Sequence, residues 1–198
     1  GLGKCSLTAA IPILSVCGVQ AVPLATAVLS NQTSFEHYVG VDLSEHLPMI
    51  ADQWQRMDLR LDGIFTGYLS GVQQVEWVSG FLERFRRENT LVLVDPVLGE
   101  NGEYYRGFDE EMRCAMREAD IITPNLTEAL MLLGKDARQQ NLSPETAKEY
   151  ARELAELGPK TVIITGIGQG ETVWNVGYDA GEDSEFLVGN RRIGGGYS

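Results

Sequence analysis

The sequence has few cysteines and no long hydrophobic run. Its three cysteines, Cys5, Cys17 and Cys114, lie far apart and form no CxxC pair. Neither a disulfide framework nor a zinc site is therefore expected. The apolar patterns around Cys17 and Cys114 predict core positions for both. No run approaches the ~18 apolar residues of a membrane span, and no charged leader precedes the first apolar stretch. These absences favour a reducing cytoplasm.

Basic residues are scarce as well. The chain has 16 Lys and Arg against 28 Asp and Glu, a formal net charge of −12. Binding to nucleic acid or to an anionic membrane needs clustered cations, so neither is expected as a partner. An acidic protein can still bind ATP where a divalent cation carries the phosphates. The two histidines, His37 and His46, pair with no Ser or Cys nucleophile and are interpreted as surface or packing residues.

What is present is an alternation of short apolar runs and amphipathic helical patterns, without repeats or a linker. Leu91–Val94 is the clearest buried strand, and a helix is predicted from about Val72 to Arg87. Ser143 followed by Pro144 marks the start of another helix, and Gly158 marks its end. The stretch VQAVPLATAVLS is expected to form two short strands, VLGENGEYYRG a loop, and the region near the C-terminal end a meander of strands. The pattern predicts one α/β domain: a doubly wound, mostly parallel sheet flanked by helices.

Polar residues follow three of the predicted buried strands, namely Asp95, the Thr123-Pro124-Asn125 group and Thr165. In a parallel sheet the carboxyl ends of strands share one edge, where ligands bind. Glu128 stands three residues after Asn125, which is the spacing of a capping box. The pair is therefore open to two interpretations, a helix cap or a nucleotide and metal site.

Five segments carry a resemblance to a known family. They are GLGKCSLTAAIPILSVCGVQAVPLATAVLSNQT, FTGYLSG, VLVDPVLGENGEYY, ADIITPNLTEALMLLG and TVIITG. In this order and spacing they resemble the pyridoxal kinases of the ribokinase-like superfamily. The DPV and TPN motifs with a following Glu also occur in hydroxymethylpyrimidine kinases, whereas LSNQT before FTGYLSG favours the vitamin B6 enzymes.

The resemblance implies a Rossmann-like fold and ATP-dependent phosphorylation of the 5′-hydroxymethyl group of pyridoxal, pyridoxine or pyridoxamine. It also implies Mg²⁺, in many members together with K⁺, and a homodimer. The residues that match the nucleotide side are Asp95, Thr123, Asn125 and Thr165. Those that match the metal side are Asp95 and Glu128, and those that match the substrate side are Thr33, Tyr68 and Tyr105. Glu100 stands where some relatives carry Asp, and Gly99 and Gly102 are expected to serve the turn.

One family motif is missing. No Gly-Thr-Gly-Asp sequence occurs in the 198 residues, and in the family its Asp is the general base. The resemblance therefore places no catalytic base among these residues; it implies a single kinase domain over 1–198 whose first strand and C-terminal catalytic segment, beyond Ser198, are not in the sequence. Three alternatives remain open at this point: a hydroxymethylpyrimidine kinase, a non-catalytic relative that binds a B6 vitamer or a nucleotide, and a fragment without activity of its own.

Overall fold

The structure, a computed structural model, describes residues 5–31, 36–100, 102–104, 116–139 and 142–192. The helices are α1 (Leu7–Val16), α2 (Leu47–Arg56), α3 (Val72–Phe85), α4 (Leu126–Leu132) and α5 (Pro144–Ala155). The strands are β1 (Ala27–Leu29), β2 (Gly40–Asp42), β3 (Gly63–Thr66), β4 (Leu91–Val94), β5 (Gly99–Glu100), β6 (Glu103–Tyr104), β7 (Ile121–Ile122), β8 (Thr161–Gln169), β9 (Thr172–Asp179) and β10 (Ser184–Arg191).

The main sheet has six strands in the order β10-β9-β8-β7-β4-β3. Strands β3, β4, β7 and β8 run parallel, and β9 and β10 continue the sheet as an antiparallel meander. The four parallel strands lie side by side in sequence order. Helix α3 connects β3 to β4, and helices α4 and α5 connect β7 to β8, as βαβ units require. This topology confirms the predicted α/β fold with a mostly parallel sheet, and it confirms the meander.

The core lies between the parallel strands and the helices that cover them. Val92 and Val94 of β4 and Ile122 of β7 are at most 2% exposed. Apolar side chains of the inner strands are buried because helices cover the sheet. On α3, Phe81 stacks on Phe85 with ring centroids 4.4 Å apart, which adds to the area that this helix buries.

The helix boundaries predicted from capping residues are confirmed for α5. Ser143 Oγ accepts a hydrogen bond of 3.1 Å from the backbone N–H of Thr146, and Pro144 occupies the first helical position. Gly158 follows the helix with a φ of 137°, a value that side-chain-bearing residues rarely adopt.

No helix among the described residues is long and apolar enough to cross a bilayer.

Three expectations from the sequence are wrong. The stretch VQAVPLATAVLS contains one strand, β1, which pairs with β2 in a separate small sheet. The expected loop after Leu98 contains the hairpin of β5 and β6, whose turn places Gly102 at a φ of 83°. Cys17 is exposed, because α1 has no buried residue in the described structure. Its apolar pattern therefore does not mark a core position; Cys114 lies outside the described residues.

Candidate active site

The backbone brings the polar strand ends to one edge of the sheet. Beyond the end of β4, the N–H of Asp95 donates to the carbonyl of Thr66 at 2.9 Å. Beyond β7, the N–H of Thr123 donates to Val94 O at 3.1 Å, and the N–H of Thr165 donates to Pro124 O at 2.9 Å. These bonds extend the parallel ladder past the short strands. The residues that follow the strands are therefore held as firmly as the strands themselves.

A cavity of about 300 Å³ opens at this edge. It is lined by Asp95, Val97, Glu100, Thr123, Asn125, Glu128 and Thr165. All five residues that the sequence assigned to the nucleotide and the metal are in this set. They come from three separate segments of the chain, at 95, 123–128 and 165, and the parallel topology explains why they meet.

Asn125 and Glu128 form the capping box that their spacing predicts. Asn125 Oδ1 accepts from the N–H of Glu128 at 3.0 Å, and Glu128 Oε2 accepts from the N–H of Asn125 at 2.8 Å. The two side chains thereby satisfy N–H groups at the start of α4 that have no partner within the helix. The capping interpretation is confirmed, and both residues also line the cavity.

Both side chains hold the segment after β4 as well. Glu128 Oε1 accepts from the N–H of Leu98 at 3.0 Å, and Asn125 Nδ2 donates to Gly99 O at 2.8 Å. Both carboxylate oxygens of Glu128 thus receive backbone N–H groups, and Gly99 is a further backbone donor to the same carboxylate. The carboxylate therefore joins the start of α4 to the wall of the cavity.

Burial changes the acidity of both carboxyl groups in the site. Desolvation raises the pKa of Asp95 to about 6, and a hydrogen bond from the Val97 backbone partly opposes this. Desolvation raises the pKa of Glu128 to about 7, and the nearby charge of Asp95 raises it further against the bonds from Asn125 and Leu98. Glu128 is only 3% exposed. Asp95 is half-buried, and two desolvated acids whose charges repel each other favour a nearby cation.

Thr165 reaches the cavity through an irregularity in β8. The pairing of β8 with β9 shifts register between Ile164 and Ile167, and Gly166 has a φ of 77°. Asn175 Oδ1 accepts a 3.3 Å hydrogen bond from the N–H of Gly166. A bulge of this kind redirects a side chain at the rim of a sheet. The sequence marked Thr165 as a strand end, whereas β8 continues through it.

Two residues that line the cavity, Val97 and Glu100, had no role assigned to them from the sequence. Val97 has a φ of +46°, a left-handed conformation that is an outlier for a β-branched residue. Glu100 is exposed at the cavity mouth, and its position beside the DPV motif was the available signal. Nothing in the sequence assigned Val97 to the site, because Asp95 and Pro96 already account for the end of β4.

The substrate-side predictions fall in different parts of the chain. Tyr68 is half-buried in the loop that follows β3, and its carbonyl accepts from Thr26 Oγ1 at 3.1 Å. It is not among the residues that line the cavity. Thr33 and Tyr105 lie outside the described residues.

Comparison with known proteins gives the family. A family model described as phosphomethylpyrimidine kinase matches residues 7–194. The chain belongs to this family. Pyridoxal kinase from Ovis aries is 32% identical over 163 residues, which are 77% of this chain and 51% of that protein. The resemblance to pyridoxal kinases that the motifs indicated is therefore confirmed.

Solved structures of this family share the fold. A candidate phosphomethylpyrimidine kinase from Bacteroides thetaiotaomicron, solved in a form with pyridoxal, is 38% identical with a TM-score of 0.90. The match covers 98% of this chain and 70% of that one. Pyridoxal kinase from Lactobacillus plantarum is 31% identical with a TM-score of 0.81, over 100% of this chain and 71% of that one. The chain spans about half the length of the curated relatives it matches, 51% and 56% for two of them.

Proposed function

We propose that this protein transfers a phosphoryl group from ATP to the 5′-hydroxymethyl group of pyridoxal, pyridoxine or pyridoxamine. The observation that carries the proposal is the convergence of Asp95, Thr123, Asn125, Glu128 and Thr165 on one cavity. Phosphoryl transfer asks a protein mainly for positioning and charge stabilisation, and polar groups at the carboxyl edge of a parallel sheet can supply both. The pyridoxal in a structure of a 38% identical relative supports the choice of substrate.

The residues have separate roles in this proposal. Thr123 and Thr165 offer hydroxyl groups to phosphate oxygens. Asn125 is held by Gly99 O and by the N–H of Glu128, so its side chain presents a fixed dipole to the cavity. Such preorganised groups stabilise developing charge without reorganising during the reaction. The proton of the substrate hydroxyl goes to the Asp of the Gly-Thr-Gly-Asp motif that the resemblance implies, which stays a prediction.

Asp95 and Glu128 fit a divalent cation. Mg²⁺ keeps several waters and is typically bound by one or two carboxylates together with phosphate oxygens. No group of three or more potential ligands (His, Cys, Asp or Glu) occurs in the described part of the chain, which agrees with a two-carboxylate site. Both pKa values are raised by burial, so a cation would relieve an existing electrostatic cost. When bound, Mg²⁺ supplies neutralising charge to the phosphates.

An ATP-dependent assay tests the proposal directly. We expect phosphorylation of pyridoxal, and no comparable turnover of hydroxymethylpyrimidine, by wild-type protein that includes the Gly-Thr-Gly-Asp segment implied by the resemblance. Residues 1–198 without that segment should turn over neither compound, because they hold no assigned general base. Asp95→Asn should lower kcat/KM by about 100-fold or more, since charge stabilisation by a metal is worth several kcal/mol. Asp62→Asn is the matched control, because Asp62 is exposed just before β3 at the opposite edge of the sheet. Turnover of hydroxymethylpyrimidine alone, or of neither compound, by protein that includes the segment contradicts the proposal.

Three further properties are proposed on the same basis. A role for K⁺ and a homodimer follow from the resemblance. A cytoplasmic location is supported by Cys5 and Cys17, which are free and exposed, because reducing compartments preserve such thiols. Activity in K⁺ against Na⁺ buffer and sedimentation of the purified protein measure the first two.

A further inference from the structure

Gln74 is a buried polar residue outside the cavity. It lies in the first turn of α3 and is 1% exposed. Its Oε1 accepts from the N–H of Ser70 at 2.8 Å. Its Nε2 donates to Ser44 Oγ at 2.8 Å and to Thr26 O at 3.0 Å. The amide therefore has partners for its donors and its acceptor, as buried polar groups require.

These bonds join three segments that are distant in the sequence. Thr26 directly precedes β1, Ser44 follows β2, and Ser70 belongs to the loop after β3. Asp42, the last residue of β2, accepts hydrogen bonds on one carboxylate oxygen from Ser70 Oγ and from Gln74 Nε2. One amide side chain thus connects both strands of the small sheet to the loop at the edge of the main sheet.

The same connections fix the position of Tyr68. Thr26, whose carbonyl binds Gln74, donates through Oγ1 to the carbonyl of Tyr68 at 3.1 Å. Ser70, two residues further along the loop, donates its N–H to Gln74. The loop runs from Gly67 to Gly71, and glycine at both ends gives it little stiffness of its own. The side-chain network therefore holds the backbone of this loop at Tyr68 and at Ser70.

We propose that Gln74 is a positioning residue for the B6 vitamer, because its network holds the backbone around Tyr68, the residue that the resemblance to pyridoxal kinases puts on the substrate side. The inference rests on the proposed function. It separates two parts of the protein: the Gln74 network serves the vitamer, whereas the cavity around Asp95 and Glu128 serves the nucleotide. A change at Gln74 should therefore act on one substrate and leave the other unaffected.

Gln74→Met tests this, since Met has a similar length and no amide. We expect the KM for pyridoxal to rise about tenfold, because a buried hydrogen-bond network is lost, while the KM for ATP stays within about twofold. Gln73→Met is the matched control: Gln73 is the same residue type one position earlier and is exposed. It should leave both KM values unchanged.

A second variant removes one bond without emptying the core. Thr26→Val keeps the shape of the side chain and deletes only the hydroxyl that binds Tyr68 O. We expect the KM for pyridoxal to rise about threefold to tenfold, with the melting temperature close to that of the wild type. This variant gives a result even if Gln74→Met does not fold.

The outcomes separate the two proposals. Wild-type protein without turnover of any B6 vitamer contradicts the proposed function and this inference with it. Wild-type turnover with an unchanged KM for pyridoxal in both variants overturns the inference alone. Equal changes in the KM for pyridoxal and the KM for ATP also overturn it, because a merely structural role would weaken both sites together.

Discussion

Glu128, which is buried, and Asp95, which is half-buried, are two carboxylic acids on the wall of one cavity. Burial raises the pKa of Glu128 to about 7, and the charge of Asp95 adds to the increase. Burial also raises the pKa of Asp95 to about 6. Such shifts make the free energy of unfolding depend on pH, because the folded chain binds protons that the unfolded chain has already released. The two carboxyl groups therefore lower the free energy of unfolding at neutral pH.

The first prediction concerns this pH dependence. Both pKa values lie above the unfolded values of 3.8 and 4.5, so their contribution to stability is complete below about pH 4 and is lost as pH rises through about 6 and about 7. The free energy of unfolding should fall by roughly 5 kcal/mol between about pH 4 and about pH 8, since each unit of pKa shift is worth about 1.4 kcal/mol. In Asp95→Asn the fall should be about half as large, since the variant removes one acid and the charge that acts on Glu128. Urea unfolding across this pH range measures it.

Two controls sharpen that measurement. Asp42 has a pKa lowered to about 2, chiefly by hydrogen bonds from Ser44 and Ser70, so its contribution is lost only below about pH 4 and lies outside the window. Mg²⁺ should reduce the fall in the wild type, because a bound cation favours the ionised carboxylates. An equal fall in wild type and Asp95→Asn would contradict the electrostatic account of the site.

The sequence predicted which polar residues meet at one edge of the sheet better than it predicted their surroundings. Short apolar runs mark the parallel strands, and the parallel topology brings their carboxyl ends together, so Asp95, Thr123 and Thr165 could be assigned to one edge in advance. The left-handed φ of Val97 could not be predicted, because the residues that follow it are bound by side chains distant in the sequence: the Leu98 N–H by Glu128 and the Gly99 carbonyl by Asn125. Backbone strain of this kind persists only where the surrounding structure enforces it.

Helix α1 shows that an apolar pattern in the sequence does not by itself predict burial. The segment forms a helix over Leu7–Val16, yet Ile13 and Val16 are 64% and 89% exposed. A hydrophobic pattern gives the conformation of a segment, whereas burial depends on what packs against it. In the part of the chain that the structure describes, no buried residue belongs to this helix, which is why the predicted core position of Cys17 was wrong.

The second prediction separates capping from ligand binding. Asn125→Ala removes the cap of α4 and the bond to Gly99 O, so unfolding should become easier by about 1 to 2 kcal/mol. Ser143→Ala removes only the cap of α5 and should cost about 0.5 to 1 kcal/mol. Asn125 lines the cavity, so ATP affinity should fall in Asn125→Ala. Ser143 is not among the lining residues, so ATP affinity should stay unchanged in Ser143→Ala. Denaturant titration and ATP binding by calorimetry give the two readouts. Unchanged ATP affinity in Asn125→Ala would leave this residue with the capping role alone.

The third prediction concerns the hairpin that closes one side of the cavity. A Cβ added at Gly99 would lie 2.3 Å from the backbone oxygen of Glu103 and 3.3 Å from Met131 Sδ. Neither backbone can move freely, because Asn125 Nδ2 holds Gly99 O and the hairpin pairs Gly99 with Tyr104. Gly99→Ala should therefore destabilise the fold by about 1 to 3 kcal/mol and weaken ATP binding.

Gly80 provides the opposite case for the same substitution. It lies inside α3, and a Cβ there meets no atom within 4 Å. Gly80→Ala should stabilise the protein by about 0.5 to 1 kcal/mol, since Ala has the higher helix propensity, and should leave ATP affinity unchanged. Urea unfolding of both variants in one buffer tests the pair. If Gly99→Ala left the free energy of unfolding unchanged, the hairpin would have to shift at little cost. The hydrogen bonds from this segment to Asn125 and Glu128 would then not hold the wall of the cavity rigid.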